Sequence, residues 1–223
     1  MGIAHDFVVS DTACTSIVHC VAFTVALDAR VLVPRRSLTH VALLHLAAEM
    51  VYRPKWSEAI LDDLRSEFRD QFPQAPTAII EEQISRIGAY EFGYDALERP
   101  HIFMPDVDHA STDVDPRALH ALEVAARGGV DAVLTTHPKD YPEVITDDLE
   151  IVVQGVDDFM ITHLEHRPAQ VRLAFTQWVR QNQAVHDGPT SVAALLDRLE
   201  CDVPHFAAGA RSEFFSTITQ NYF

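Results

Sequence analysis

The chain has 223 residues, 48% of them hydrophobic, which is enough to bury a full core without disulfide or metal staples. Acidic residues outnumber basic ones 33 to 17. The resulting formal charge of −16 excludes nucleic-acid binding through bulk charge, because phosphate affinity comes mainly from Lys and Arg. Cys14, Cys20 and Cys201 are odd in number and lack CxxC spacing, so the sequence supports no disulfide framework or Cys-rich zinc site and favours a reduced, cytoplasmic protein.

The apolar stretch over residues 17–27 is the first place to test for a membrane anchor. It is too short to span a bilayer and follows no Lys or Arg, so we predict no membrane segment there. We interpret Ala22–Leu27 as a buried first strand, because a continuous apolar run is typical of a central parallel strand. Residues 1–21 are expected to form a loose leader outside the fold.

The segment after the first strand is predicted to be mainly helical. Ser37 is placed to cap a helix that runs to about Met50, and Ser57 is placed to cap a second helix whose apolar residues keep a helical period. After a turn broken by prolines, a third amphipathic helix is predicted from about Thr77 to Tyr90.

The second half of the chain alternates between helices and strands. Asp115 followed by Pro116 is a strong helix start, and Gly128–Gly129 ends that helix. Asp157 is predicted to cap a further helix that runs to about Glu165. The predicted strands after the first are His101–Met104, Asp131–Thr135 and Glu150–Gln154, with a short extended piece at Val51–Tyr52.

This alternation defines the expected fold class. Strands that alternate with helices form a parallel sheet with helices on both faces, so we predict an α/β protein with a three-layer α/β/α domain over residues 22–165. Residues 166–223 predict helices only, with a Gly-Pro break at positions 188–189, and are expected to form a C-terminal helical extension.

Polar side chains follow the predicted strands where a ligand crevice is expected. Asp28 follows the first strand, Asp106 and Asp108 the second, and Thr135 and Asp140 the end of the third. Converging carboxylates are the hard oxygen ligands that Mg²⁺ or Mn²⁺ prefers. Because Asp is also common in turns, this signal is weak by itself, and a turn role is favoured for Asp106 and Asp108.

Three blocks of the sequence, in this order, carry a family resemblance: ALDARVLVP, YRPKWSEAILDDLR and GGVDAVLTTHPKDYP. They resemble blocks of a PIN-domain branch typically written ALDACVLYP, YRPRWSEEILEEWR and GADAIVTFNLKDFP. SVAALLDRLECDVPHFAAGAR also resembles the helical tail of that branch, so the resemblance covers about residues 22–211. It implies a metal-dependent endoribonuclease that is the VapC-type toxin of a type II toxin–antitoxin system.

The resemblance also implies a site. PIN domains of this type use four acidic positions that bind Mg²⁺ or Mn²⁺ and cut RNA with activated water. The first falls on Asp28 and the fourth on Asp140, both expected to ligate the metal directly. The second, a Glu in the family, falls on Asp63, which is one methylene shorter and is expected to act through water.

The third acidic position departs from the family pattern. It falls on Ala118, which has no carboxylate. Asp115, one turn earlier, is the candidate substitute as metal ligand and catalytic residue, and Asp113 is a more distant one. Thr135 is retained and is expected to tune the site by hydrogen bonding, whereas the family's Asn falls on His137.

Two hypotheses from different classes follow from the resemblance. The first is the toxin ribonuclease, with an RNA substrate, a cognate antitoxin and a homodimer as implied partners. The alternative is a catalytically degenerate PIN domain that binds RNA or a partner protein, and the alanine at the third position favours it.

Other candidate sites are weaker. His163 and His166 have zinc-compatible spacing on a helix, but no third ligand is evident, so surface histidines are favoured. Arg30 stands two positions after Asp28 and therefore argues against a DxD phosphatase; with Arg53 it belongs to the basic residues flanking the site, which either guide a phosphate backbone or form a solvated edge. No P-loop or GxGxxG motif occurs.

Overall fold

The computed structural model describes residues 23–34, 37–88, 115–182 and 188–215. Some sequence-based predictions lie outside these ranges: the leader 1–21, the strand His101–Met104, and the carboxylates Asp106, Asp108 and Asp113.

A four-stranded, all-parallel sheet forms the centre of the described part of the chain, with the strand order β2-β1-β3-β4. The strands are β1 (Thr24–Leu27), β2 (Arg53–Lys55), β3 (Ala132–Thr135) and β4 (Val152–Gly155). Both middle strands, β1 and β3, carry completely buried apolar side chains, as expected where helices cover both faces of a sheet. The predicted α/β class with a three-layer arrangement is confirmed.

All four strands of the described sheet begin later than the sequence predicted, and the shift has a local cause in β2 and β4. Strand β2 follows the predicted extended piece at Val51–Tyr52, because the buried Tyr52 hydroxyl donates to the Leu43 carbonyl and belongs to the core. Pro54, which lacks an N–H, then sits on the outer strand of the described sheet, where such a residue is tolerated. Strand β4 starts at Val152 because Glu150 has a left-handed backbone (φ 53°) that ends the preceding turn.

Helices precede, connect and follow these strands. They are α1 (Ala29–Leu32), α2 (Thr39–Ala48), α3 (Glu58–Gln71), α4 (Thr77–Gly88), α5 (Pro116–Gly128), α6 (Glu143–Asp148), α7 (Val156–His166), α8 (Pro168–Asn182), α9 (Val192–Leu199) and α10 (Pro204–Phe215), with a 3₁₀ turn at Pro138–Asp140.

Two predicted helix caps are confirmed. The Ser57 hydroxyl accepts the Ile60 N–H at the start of α3. Asp115 caps α5 by accepting the Arg117 N–H at 2.9 Å, and that helix ends at Gly129, whose left-handed backbone (φ 54°) suits glycine.

Two other predicted caps are wrong, because partners distant in sequence take the side chains. The Ser37 hydroxyl donates to Asp202 at 2.5 Å, and α2 starts two residues later without a side-chain cap. Helix α7 starts directly after Gly155, and the Asp157 carboxylate instead accepts the backbone N–H groups of His205 and Phe206. Asp157 therefore caps α10, a helix about fifty residues further along the chain.

This long-range cap leads to a stability prediction. Replacing Asp157 with alanine leaves two N–H groups at the start of α10 without their acceptor, and we expect the free energy of unfolding to fall by about 1–2 kcal/mol in urea denaturation. Asp158→Ala is the matched control, since this exposed neighbour lies on the same helical turn, and it should cost less than about 0.5 kcal/mol. Equal losses in the two variants would contradict the capping role.

The C-terminal extension packs directly on the α/β domain. Helix α8 contacts α2, and α10 contacts α7. Phe175 of α8 is completely buried against Phe206 and Phe214 of α10, while Trp178 stacks on His45 of α2. The extension thus shares one continuous hydrophobic core with the sheet and its helices.

Over the described ranges, no helix has the length and apolar character needed to cross a bilayer.

Candidate functional site

The site lies at the carboxyl ends of the two middle strands. Strand β1 ends at Leu27, and the next residue, Asp28, donates its N–H to the Leu134 carbonyl of β3 at 3.0 Å. Asp28 also caps the short helix α1 by accepting the Arg30 N–H at 2.9 Å. Thr135, the last residue of β3, comes to the same edge because the two strands are parallel and adjacent.

The Asp28 carboxylate is completely buried and surrounded by donors. Its Oδ2 accepts the Thr135 hydroxyl at 2.6 Å and the Tyr141 hydroxyl at 2.9 Å. The guanidinium of Arg30 binds the same carboxylate through Nη2 at 2.8 Å and through Nε at 3.1 Å, while Oδ1 takes the Arg30 backbone N–H. Nε also lies 3.3 Å from Oδ1. Five donor groups therefore contact a carboxylate that offers about four lone-pair directions.

Arg30 is the centre of the cluster. Its side chain is 8% exposed, and Nη1 binds the Asp140 carboxylate at 2.5 Å. The same Nη1 lies 3.9 Å from Oδ2 of Asp115. Three of the four candidate metal ligands, Asp28, Asp115 and Asp140, therefore face the same group, and that group is a guanidinium.

The ionisation of the cluster follows from these contacts. Burial alone would raise the pKa of Asp28, but the hydrogen bonds from Arg30 and Thr135 outweigh it, and the pKa lies below its ordinary value. Burial disfavours the charged form of Arg30, yet its hydrogen bonds to Asp28 and Asp140 raise its pKa further. The pKa of Tyr141 is raised by burial and by the Asp28 charge, so its phenol stays neutral and donates.

Asp63 is engaged in the interface between two helices. Its carboxylate contacts Nδ1 of His120 at 2.6 Å, from α3 to α5. One turn along the same interface, Glu67 of α3 pairs with Arg117 of α5. Ala118, which the sequence resemblance aligns with a third acidic position, is completely buried on α5. Asp63 therefore belongs to a row of polar side-chain contacts between α3 and α5, which is a structural role that the sequence did not predict.

The residues as arranged do not fit a Mg²⁺ or Mn²⁺ ion. Over the described residues, no group of three or more His, Cys, Asp or Glu side chains is placed to hold a metal. The three converging carboxylates are held apart by the Arg30 side chain, and the accepting positions of Asp28 are filled. A divalent ion needs those same oxygens, so it and the guanidinium exclude each other.

Two sequence interpretations of other residues need revision. His163 is buried beside Phe159 and Tyr52, which lowers its pKa to about 4, so the prediction of a surface histidine is wrong for it; the neighbouring His166 is exposed. Arg30 is buried and therefore is not part of a solvated edge. In the sequence, Arg30 is distinguished only by its position two residues after Asp28, where the similar PIN-domain blocks have Cys.

A cavity of about 360 Å³ lies next to this cluster. Thr135 and Thr136 border it on the sheet side, and Val156 and Asp158 border it at the start of α7. Cys201 and Asp202 of the C-terminal extension also line it, so the extension helps to shape the surface beside the Arg30 cluster.

No protein-family model, curated protein or solved structure matches this chain.

Proposed function

We propose that the chain is a PIN-type domain that does not cleave RNA and acts by binding a partner protein. The family assignment rests on the three sequence blocks and accords with the parallel sheet and with the convergence of Asp28, Asp115 and Asp140 at its edge. The observation that carries the loss of cleavage is the buried Arg30 side chain at the point where the carboxylates meet.

Charge favours a protein partner over RNA. Three carboxylates against one guanidinium leave the cluster with a formal charge of −2, and the whole chain carries −16. Among the described basic residues near the site, Lys55 donates to the Gly128 carbonyl and Arg117 pairs with Glu67, whereas Lys139, next to Asp140, is exposed. RNA affinity requires several cations directed at phosphates, and the described part of this surface supplies few. A cytoplasmic location belongs to the same proposal, and the free thiol of Cys201 is compatible with a reducing compartment.

The second candidate is the toxin ribonuclease itself, with Mg²⁺ or Mn²⁺, an RNA substrate, a cognate antitoxin and a homodimer. Its specific support is that the retained acids Asp28 and Asp140 do meet at one point, with Asp115 near the place of the lost third acid. For this candidate, Arg30 has to leave the cluster before a metal enters.

Cleavage of a labelled structured RNA in Mg²⁺ and in Mn²⁺ separates the two candidates. We expect no metal-dependent cleavage by the wild type above the level of Asp140→Asn. Asp140 is the better control substitution than Asp28, because its side chain is 35% exposed whereas Asp28 is completely buried. Cleavage by the wild type that both EDTA and Asp140→Asn abolish would overturn the proposal in favour of the ribonuclease.

Fluorescence anisotropy with the same RNA, without metal, tests the choice of partner class. For a protein-binding domain of this charge we expect no RNA binding at micromolar RNA, whatever the salt concentration. Tight, salt-sensitive RNA binding without cleavage would show that the module binds RNA.

A further inference from the structure

We infer that Arg30 is a built-in replacement for a divalent cation, so that this chain offsets part of the charge of its acidic cluster without metal and excludes metal from it. The inference rests on the proposed function and goes further. It assigns Arg30 as the cause of the lost RNA cleavage and states that its removal allows metal binding.

The guanidinium makes the contacts that a bound cation would make. Its Nη2 and Nε face Oδ2 of Asp28, its Nη1 contacts Oδ2 of Asp140, and the same Nη1 lies closest to Oδ2 of Asp115. Oxygens of three carboxylates, including both oxygens of Asp28, thus face a single positive group. A planar guanidinium with several donors can span carboxylates in this way, whereas an ammonium group acts as a point charge.

The local structure fixes Arg30 in this position. Asp28 caps α1 by accepting the Arg30 backbone N–H, so main chain and side chain of the same residue bind one carboxylate. The residue is 7% exposed, and Val31 and Leu32 next to it belong to the core. Movement of the side chain out of the cluster would expose its apolar stem and leave Asp28 buried without a charged partner, which is strongly unfavourable.

Removal of the guanidinium leaves the carboxylates without a compensating positive charge. Asp28 keeps the hydroxyls of Thr135 and Tyr141 but loses its charged partner, and Asp140 and Asp115 then face it without compensation. Hard oxygen ligands at one point suit Mn²⁺ or Mg²⁺. An ion that binds only the folded state stabilises it, so the gain is measurable as a shift in melting temperature without any assay of activity.

The test compares Mn²⁺ binding by wild type, Arg30→Met and Arg117→Ala. Binding is measured by electron paramagnetic resonance of free Mn²⁺, and melting temperature is measured with and without the ion. Methionine keeps an apolar stem of similar reach. Arg117→Ala is the matched control, because it removes another ion-paired arginine, bound to Glu67 and Asp70, that does not contact Asp28.

We expect Arg30→Met to bind Mn²⁺ at least about tenfold more tightly than the wild type and to melt several degrees higher with the ion than without it. Wild type and Arg117→Ala should show neither effect. Adding Asp140→Asn to Arg30→Met should remove the gained binding. If Arg30→Met folds only when Mn²⁺ is present, that rescue supports the inference as well.

Two results would overturn the inference. One is Mn²⁺ binding by the wild type that Asp140→Asn abolishes. The other is an Arg30→Met protein that gains no affinity for Mn²⁺, or that stays unfolded in its presence. The proposed function is judged separately, by RNA cleavage and binding of the wild type, so failure of either idea is distinguishable from failure of the other.

Discussion

Replacement of Asp28 with asparagine is expected to lower the free energy of unfolding by about 3–5 kcal/mol. The substitution leaves the Arg30 guanidinium buried without its principal partner. The new amide group also places an N–H₂ among the Thr135 and Tyr141 hydroxyls, which now donate to the carboxylate. Urea denaturation at pH 7, followed by circular dichroism, measures the change.

Asp140→Asn is the matched control for this experiment. Asp140 binds the same guanidinium, but its side chain is 35% exposed, so solvent screens this pair more than the Asp28 pair and compensates the carboxylate that remains, and we expect a smaller loss. A loss for Asp28→Asn that is no larger than the loss for Asp140→Asn would show that the buried pair does not stabilise the fold.

The difference between wild type and Asp28→Asn should also depend on pH. The folded-state pKa of Asp28 is lowered, so its contribution is fully present above the unfolded value of about 3.9 and is lost as pH falls through the lower folded value. Burial of His163 and partial burial of His45 lower their pKa values to about 4, so both residues destabilise both proteins as pH falls from about 6.5 toward 4. Because both proteins share that loss, it cancels in the difference.

The expected loss of stability in Asp28→Asn also affects which variant is suitable for testing RNA cleavage. If Asp28→Asn is largely unfolded, its failure to cleave RNA says nothing about catalysis. A change at Asp140 removes a predicted metal ligand while leaving the buried Asp28–Arg30 pair in place. The burial of each carboxylate, which the sequence does not give, therefore makes Asp140→Asn the more informative variant for the cleavage test.

The fold could be predicted where neighbouring residues determine the structure. The apolar run of β1, the Asp115–Pro116 start of α5 and its glycine end are local signals, and the structure has all of them. Ser37 and Asp157 carried equally good local signals but have partners at Asp202 and His205, more than forty residues away. Local cap patterns fail where a tertiary contact offers the same side chain a better-placed partner.

The candidate site shows the same difference between local sequence signals and contacts that are distant in sequence. Asp28, Thr135 and Asp140 could be placed together because parallel strands end at one edge. The role of Arg30 could not be predicted, since it depends on Asp140, 110 residues further on, being positioned to accept its second donor. The role of Asp63 depends in the same way on the register of α3 against α5, which brings His120 to it.

Replacement of Phe175 with alanine is expected to lower the free energy of unfolding by about 3–5 kcal/mol, through lost burial and the cavity left behind. Phe175 is completely buried in the C-terminal extension, where its ring contacts Trp178, Phe206 and Phe214. Trp178 in turn stacks on His45 of the α/β domain. Because one core joins the two parts, we expect a single unfolding transition at a lower urea concentration, with fluorescence and circular dichroism changing together.

Leu173→Ala is the matched control, since this residue lies on the same helix but is 46% exposed, and it should change stability by less than about 0.5 kcal/mol. If Phe175→Ala instead unfolds in two steps, with the sheet surviving the first, the extension is a separate unit added to the α/β domain. A single shared transition means that the extension cannot unfold without disturbing the sheet. The cavity beside Thr135, which Cys201 and Asp202 help to line, then has walls fixed by the same cooperative core as the Arg30 cluster.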